Sequence, residues 1–217
     1  MEDLYSTFEN LPEDKKQRII DICVEEFAQN GYTNASTNNI VKNAEISKGI
    51  LFHYFGSKKN LYLYILKYNL EFILNYFNDN FDTFCTNPGG DIFERLMNAG
   101  LFKVKMAYEF PAAYKLLFNS ISHAPEELKP EIQKISENYL NSFMPLFLNG
   151  MDTSKFRKDI DQNKAIELIF IAMEGIGNKY IEKFKNQSFE IMYAESESLL
   201  AEYKVYIDIL KGGVYGG

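Results

Sequence analysis

Cysteine and histidine are scarce in this chain, two of each among 217 residues. Cys23 and Cys85 cannot supply the dense disulfide framework of a small secreted domain, and they read as two buried thiols. A structural metal site normally needs four ligands. His123 with Glu126 and Glu127 offers three, so no metal is expected. No apolar run reaches the ~18 residues that span a bilayer. The start, Met-Glu-Asp-Leu-Tyr, is acidic where a secretory signal would be basic, so a cytoplasmic protein with no membrane partner is expected. No phosphate-binding loop, Gly-rich dinucleotide fingerprint or nucleophile-plus-base arrangement is present, which argues against an enzyme and against a cofactor. Strand-like alternation is missing as well, and the class expected is all-α.

What is present begins with charge. Thirty acids face 23 bases, a net charge of −7, the wrong sign for a nucleic-acid-binding protein taken whole. The distribution differs. From Ser36 to Asn60 there are four lysines (Lys42, Lys48, Lys58, Lys59) and one acid, Glu45. A local basic patch can contact phosphate while the acidic remainder discourages non-specific adhesion.

Two short helical patterns share that stretch. The first carries Ile40, Val41 and Ala44 behind the N-cap candidates Ser36 and Thr37. The second carries Ile46, Ile50, Leu51 and Phe55 at helical spacing. Neither is long enough to stand alone, and only a tight turn fits between them. Two such helices form a helix-turn-helix, whose second helix can enter a DNA major groove. Ser47, Lys48, Gly49, Phe52, His53 and Tyr54 are left for the outward face. Gly49 costs about 1 kcal/mol relative to Ala inside a helix, a cost consistent with close approach of a DNA strand. Gly56 reads as a C-cap and Ser57 as the next N-cap, which places Lys58 at a helix N-terminus that favours phosphate.

These residues resemble the N-terminal signature of TetR-family transcriptional repressors. The likeness rests on Asn30-Gly31-Tyr32, Thr37 to Ile40, Ile46 to Phe55, and Lys58-Lys59-Asn60-Leu61, within roughly residues 12–66. Glu45 stands where that family often has a turn glycine. In a left-handed conformation a Glu there costs roughly 1–2 kcal/mol. The resemblance implies a ligand-responsive regulator, most simply a repressor released from a palindromic double-stranded operator by a small-molecule inducer. It implies DNA contacts from Ser36, Thr37, Ser47, Lys48, Gly49, Phe52, His53, Tyr54 and Lys58. The alternatives are activation in place of repression, or a helical small-molecule-binding protein that does not bind DNA.

Around the motif, residues 1–11 read as a loose arm. Ile19, Ile20, Cys23, Phe27 and Ala28 form one stripe of a supporting helix that ends at Gly31. From Lys58 a helical pattern runs to about Phe84, roughly 40 Å, and stops at Asn87-Pro88-Gly89-Gly90. Further helices are expected over 91–108, 111–122, 126–148, 163–185 and 189–210, nine in all. The expected division is a DNA-binding domain over 1–57, a ligand-binding and dimerisation domain over 58–211, and a flexible tail over 212–217.

The middle helices are crowded with rings. Phe72, Tyr76, Phe93, Phe102, Tyr114, Phe118, Tyr139 and Phe143 are candidates to line a pocket for a hydrophobic or aromatic inducer. In the last helices, Ala165, Ile169, Ala172 and Ile176 repeat at i, i+4, i+7, i+11, and so do Leu199, Tyr203, Tyr206 and Leu210. Two such seams suit a four-helix bundle across a homodimer axis.

Overall fold

The computed structural model describes residues 5–80, 90–184 and 186–216, with the Leu146 side chain excepted. Eleven α-helices and no strand occur among them: α1 Ser6–Glu9, α2 Glu13–Asn34, α3 Thr37–Ala44, α4 Lys48–Phe55, α5 Lys58–Asp79, α6 Ile92–Glu109, α7 Pro111–Ser122, α8 Lys129–Leu148, α9 Gln162–Phe184, α10 Phe189–Ala194 and α11 Ser196–Val214. None of the described helices is long and apolar enough to cross a membrane.

Two differences separate eleven from the nine expected. The arm contains α1, and the expected final helix divides into α10 and α11 at Glu195, where ψ is 1°. The expected helix end at Phe84, Cys85 and the Asn87-Pro88-Gly89 break lie outside the described residues.

The chain divides into two compact units. The first runs to Ile73 and takes in Phe110–Tyr139; the second holds Leu74–Glu109 and Leu140 onward. The expected boundary at residue 57 therefore cuts through the first unit. The reason is its core. Leu61, Tyr62, Ile65 and Leu66 of α5, with Leu116, Leu128 and Ile132, are buried in one cluster with Ile19 and Phe27 of α2 and with Ile40 and Phe55 of the helix-turn-helix. Asn119 also donates to the Ala28 carbonyl at 2.9 Å.

The second unit packs α6, α9 and α11 around Ile92, Phe93, Leu96, Phe147, Ile169 and Ile207. Asp91 caps α6, its carboxylate accepting from the Phe93 and Glu94 amides at 3.0 Å and from Lys155 at 2.9 Å. Arg95 is wholly buried. Its guanidinium donates to the carbonyls of Gly90, Phe147 and Asn149, the last two at the C-terminal end of α8, where carbonyl dipoles favour a cation. The expected flexible tail is docked over 212–216. Gly212 and Gly213 continue α11, and the Tyr215 ring lies 5.2 Å from that of Phe93. Arg157 and Gly216 donate backbone bonds to Val214 and Lys155 across this clasp. Glycines alone did not keep the segment loose, because Val214 and Tyr215 have apolar partners.

Candidate nucleic-acid interface

Serine caps set the local geometry. Ser36 Oγ accepts from the Asn39 amide at 3.3 Å, Ser47 Oγ from Ile50 at 3.2 Å and Ser57 Oγ from Asn60 at 3.1 Å. Each satisfies an amide that a helix start leaves without an intrahelical partner. Between α3 and α4 the backbone turns at Glu45, left-handed at φ 55°, ψ 40°. It is the one non-glycine residue with positive φ among those described. Its carboxylate meets Arg18 of α2 at 3.1 Å, and Arg18 also donates to the Asn43 carbonyl at 3.3 Å. Both side chains are well exposed, so this pair returns at most about 1 kcal/mol of the strain. Gly56, at φ 72°, then closes α4.

Helix α4 turns Leu51, Tyr54 and Phe55 inward, an i, i+3, i+4 set. This corrects two sequence assignments. Tyr54 is not on the outward face: it is 6% exposed, its ring 5.6 Å from Phe8 of α1. Ile50, read as core, is 40% exposed. The short arm supplies the partner that makes Tyr54 the buried residue. Ser47, Lys48, Gly49 and His53 are exposed and Phe52 is half-buried, so these five remain on an accessible face together with Ile50. Ile50 was missed because an apolar residue at helical spacing is assigned to the core by default.

A Cβ placed at Gly49 would meet only Ser47 Oγ, at 3.8 Å. The fold of the single chain therefore does not demand glycine at this position. Ser36 and Thr37 are half-buried at the start of α3. Lys42 and Lys48 are exposed and enter no salt bridge among the described residues. Lys58 is placed differently from expectation. Its ammonium donates to the Thr33 carbonyl at 3.1 Å and sits 5.1 Å over the Tyr32 ring. Burial pushes its pKa down, opposed by the charge of Glu26. Lys59 pairs with Glu131 at 2.6 Å.

The remaining predicted sites divide between the units. Phe72, Tyr114, Phe118 and Tyr139 belong to the first unit, and Tyr76, Phe93, Phe102 and Phe143 to the second. In the first, Phe72 packs on Phe110 at 5.0 Å, and burial pushes the Tyr114 and Tyr139 hydroxyls up to about 12. In the second, Phe77 bridges Phe102 and Phe143 at 5.0 Å each, while Phe93 joins Tyr215 elsewhere. Phe93 also lines a 490 Å³ cleft whose wall includes Glu94, Lys204, Asp208 and Lys211, a charged surface unlike the aromatic pocket expected.

The expected dimer seam is corrected at two of its residues, Ala165 and Ile169. Ala165 and Ile169 are buried inside the second unit, and Tyr203 and Leu210 pack on that core, with Tyr203 donating to the Leu96 carbonyl. Ala172, Ile176, Leu199 and Tyr206 are half-buried. The outward apolar residues are instead Leu168 and Ile171 on α9 and Val205 and Ile209 on α11. Lys179 paired with Glu202, and Lys183 with Glu195, hold α9 beside α11.

Comparison with known proteins addresses the same region. The family model described as "Bacterial regulatory proteins, tetR family" matches residues 19–65. The chain is 24% identical over 166 residues to the fatty acid metabolism regulator protein of Bacillus subtilis, covering 72% of this chain and 78% of that one. It is 22% identical over 169 residues to the biofilm operon icaADBC HTH-type negative transcriptional regulator IcaR of Staphylococcus aureus, covering 78% and 87%. Among solved structures, a TetR family transcriptional regulator from Chloroflexus aurantiacus aligns at 25% identity and TM-score 0.53, covering 98% of both chains. FadR from Bacillus subtilis in complex with stearoyl-CoA shares the fold at 18% identity and TM-score 0.55, covering 85% of this chain and 95% of that one. With two serine-capped helices across a left-handed turn and the matching family model over them, residues 19–65 form a helix-turn-helix of the tetR type, in an all-α chain that is similar along most of its length to DNA-binding transcriptional regulators.

Proposed function

We propose that this protein is a cytoplasmic homodimeric repressor that leaves a palindromic operator when a long-chain acyl compound binds its helical body. The observation that carries the DNA part is the accessible face of α4, where Ser47, Lys48, Gly49, Phe52 and His53 stand clear of the core. Lys48 can donate to guanine in the major groove, and Phe52 and Ile50 can pack on thymine methyl groups. Ser36 and Thr37 at the start of α3, and Lys58 at the start of α5, are assigned to backbone phosphates.

Repression and the acyl ligand take their support from the relatives. One is named a fatty acid metabolism regulator, one a negative transcriptional regulator, and the solved FadR carries stearoyl-CoA. The aromatic residues Tyr76, Phe102 and Phe143, and within the first unit Phe72, Tyr114, Phe118 and Tyr139, are the candidates for contact with an apolar chain. For the dimer, Leu168, Ile171, Val205 and Ile209 give two adjacent helices an exposed apolar face, which suits a four-helix bundle with a second copy.

The test has two stages. Duplexes selected from a random pool should share a palindrome, bound with a steep salt dependence. Stearoyl-CoA is then titrated against the protein alone and against the protein on that duplex. Linkage requires weaker ligand binding on DNA, typically by about 1–3 kcal/mol of coupling. No enriched sequence would remove the operator reading. Equal affinities in the two titrations would remove acyl-CoA as the inducer.

A further inference from the structure

Residues 5–12, ahead of α2, hold a helix of four residues that has no part in the matched family signature, which begins at residue 19. We propose that this segment, through Phe8, is a positioning device for the recognition helix and thereby sets sequence discrimination. Phe8 is 0% exposed. Its ring centroid lies 4.7 Å from Phe55 and 5.6 Å from Tyr54, two of the three buried side chains of α4. The far side of the wedge is anchored on α5. Tyr64 meets Phe8 edge-on at 5.5 Å and donates its hydroxyl to Glu9 at 2.5 Å, and Tyr5 packs on Tyr64 at 4.9 Å. Glu9 also pairs with Lys16 of α2 at 3.6 Å.

Helix α4 needs such support. It has eight residues, too few to be stable alone, and its entry is the strained turn at Glu45, held by an exposed ion pair. Its rotation about its own axis is therefore fixed by the rings behind it. A rotation of about 20° moves side-chain tips at a radius of about 5 Å by roughly 2 Å. That is several times the tolerance of a hydrogen bond to a base edge. A phosphate contact from a flexible lysine survives such a displacement, so the loss falls on specific binding.

The proposal rests on the DNA-binding reading, and the wild-type preference for its selected duplex over a scrambled one checks that reading separately. The experiment measures this preference ratio for full-length Phe8→Ala, below its melting temperature. The expected result is a ratio lower by about tenfold, with scrambled-duplex affinity within about twofold of wild type and most of the ratio restored by Phe8→Leu. Simple loss of folded protein would lower both affinities together and leave the ratio unchanged, which would overturn the proposal. Should Phe8→Ala not fold, the double variant Tyr5→Ala/Glu9→Ala, which spares the buried ring, takes its place. It should lower the ratio about threefold, and an unchanged ratio there overturns the proposal equally.

Discussion

Helices α4 and α9 each carry apolar residues at helical spacing, but their surroundings use that pattern differently. In α4, eight residues long, one inward set (Leu51, Tyr54, Phe55) is buried and the opposite face is accessible. In α9, apolar residues run almost unbroken from Ala165 to Met173. Ile169 is 0% exposed while its neighbour Leu168 is 56% exposed. A helix apolar on every side does not show which stripe meets its own chain and which awaits another. The recognition unit is thus specified mainly by caps and turns, and the second unit mainly by which surfaces happen to meet.

That contrast can be broken most sharply at residues 168 and 169. Ile169→Asp buries a charge with no partner in the core of the second unit, and should cost more than about 4 kcal/mol or prevent folding. Leu168→Asp should leave the melting of the isolated chain almost unchanged yet shift sedimentation from dimer to monomer at micromolar concentration. A dimeric Leu168→Asp would move the interface away from the outward face of α9.

Next in size is the cap of α6. Asp91→Ala removes acceptors for two helix amides and for Lys155, and should cost about 2 kcal/mol at neutral pH. Burial pulls the Asp91 carboxyl upward, but the hydrogen bonds from Lys155 and the Glu94 amide outweigh it, so its pKa lies below the usual value. A depressed carboxyl stabilises the fold fully above its unfolded pKa of about 3.9, and loses this as pH falls through the folded value. The deficit of Asp91→Ala, measured by denaturant melts, should therefore be constant above about pH 5 and shrink in more acid solution. A deficit that grows on acidification would contradict the assignment.

On the recognition side, Lys48→Ala should relax preference at one position of each half-site, by about 1–3 kcal/mol. Equal losses on every sequence would make Lys48 a phosphate contact. The smallest effect is expected at Lys58. Although it is tied to Thr33 and Tyr32, its ammonium retains further donors. Lys58→Ala should weaken all duplexes alike and flatten the log–log salt slope by about one unit. An unchanged slope would make Lys58 an internal tie between α5 and the end of α2.

The sequence by itself determined the all-α class, the helix-turn-helix and the supporting stripe Ile19, Ile20, Cys23, Phe27, Ala28, all of which are buried together. These features depend on neighbours three to five residues apart: a serine before a helix, a glycine after it, a period of 3.6. The tight turn was legible for the same reason, whereas the left-handed Glu45 was signalled only by the family resemblance, which often has a glycine there. Tertiary structure alone decided what required distant partners. Tyr54 became core, and Ile50 surface, because Phe8, 46 residues earlier, docks on α4. Val214 and Tyr215 became a packed clasp because Phe93 and Phe156 reach them. Ile169 went inward and Leu168 outward because α6 and α11 cover one side of α9 and leave the other bare. Periodicity defines the faces of a helix, but the long-range fold determines what covers each face.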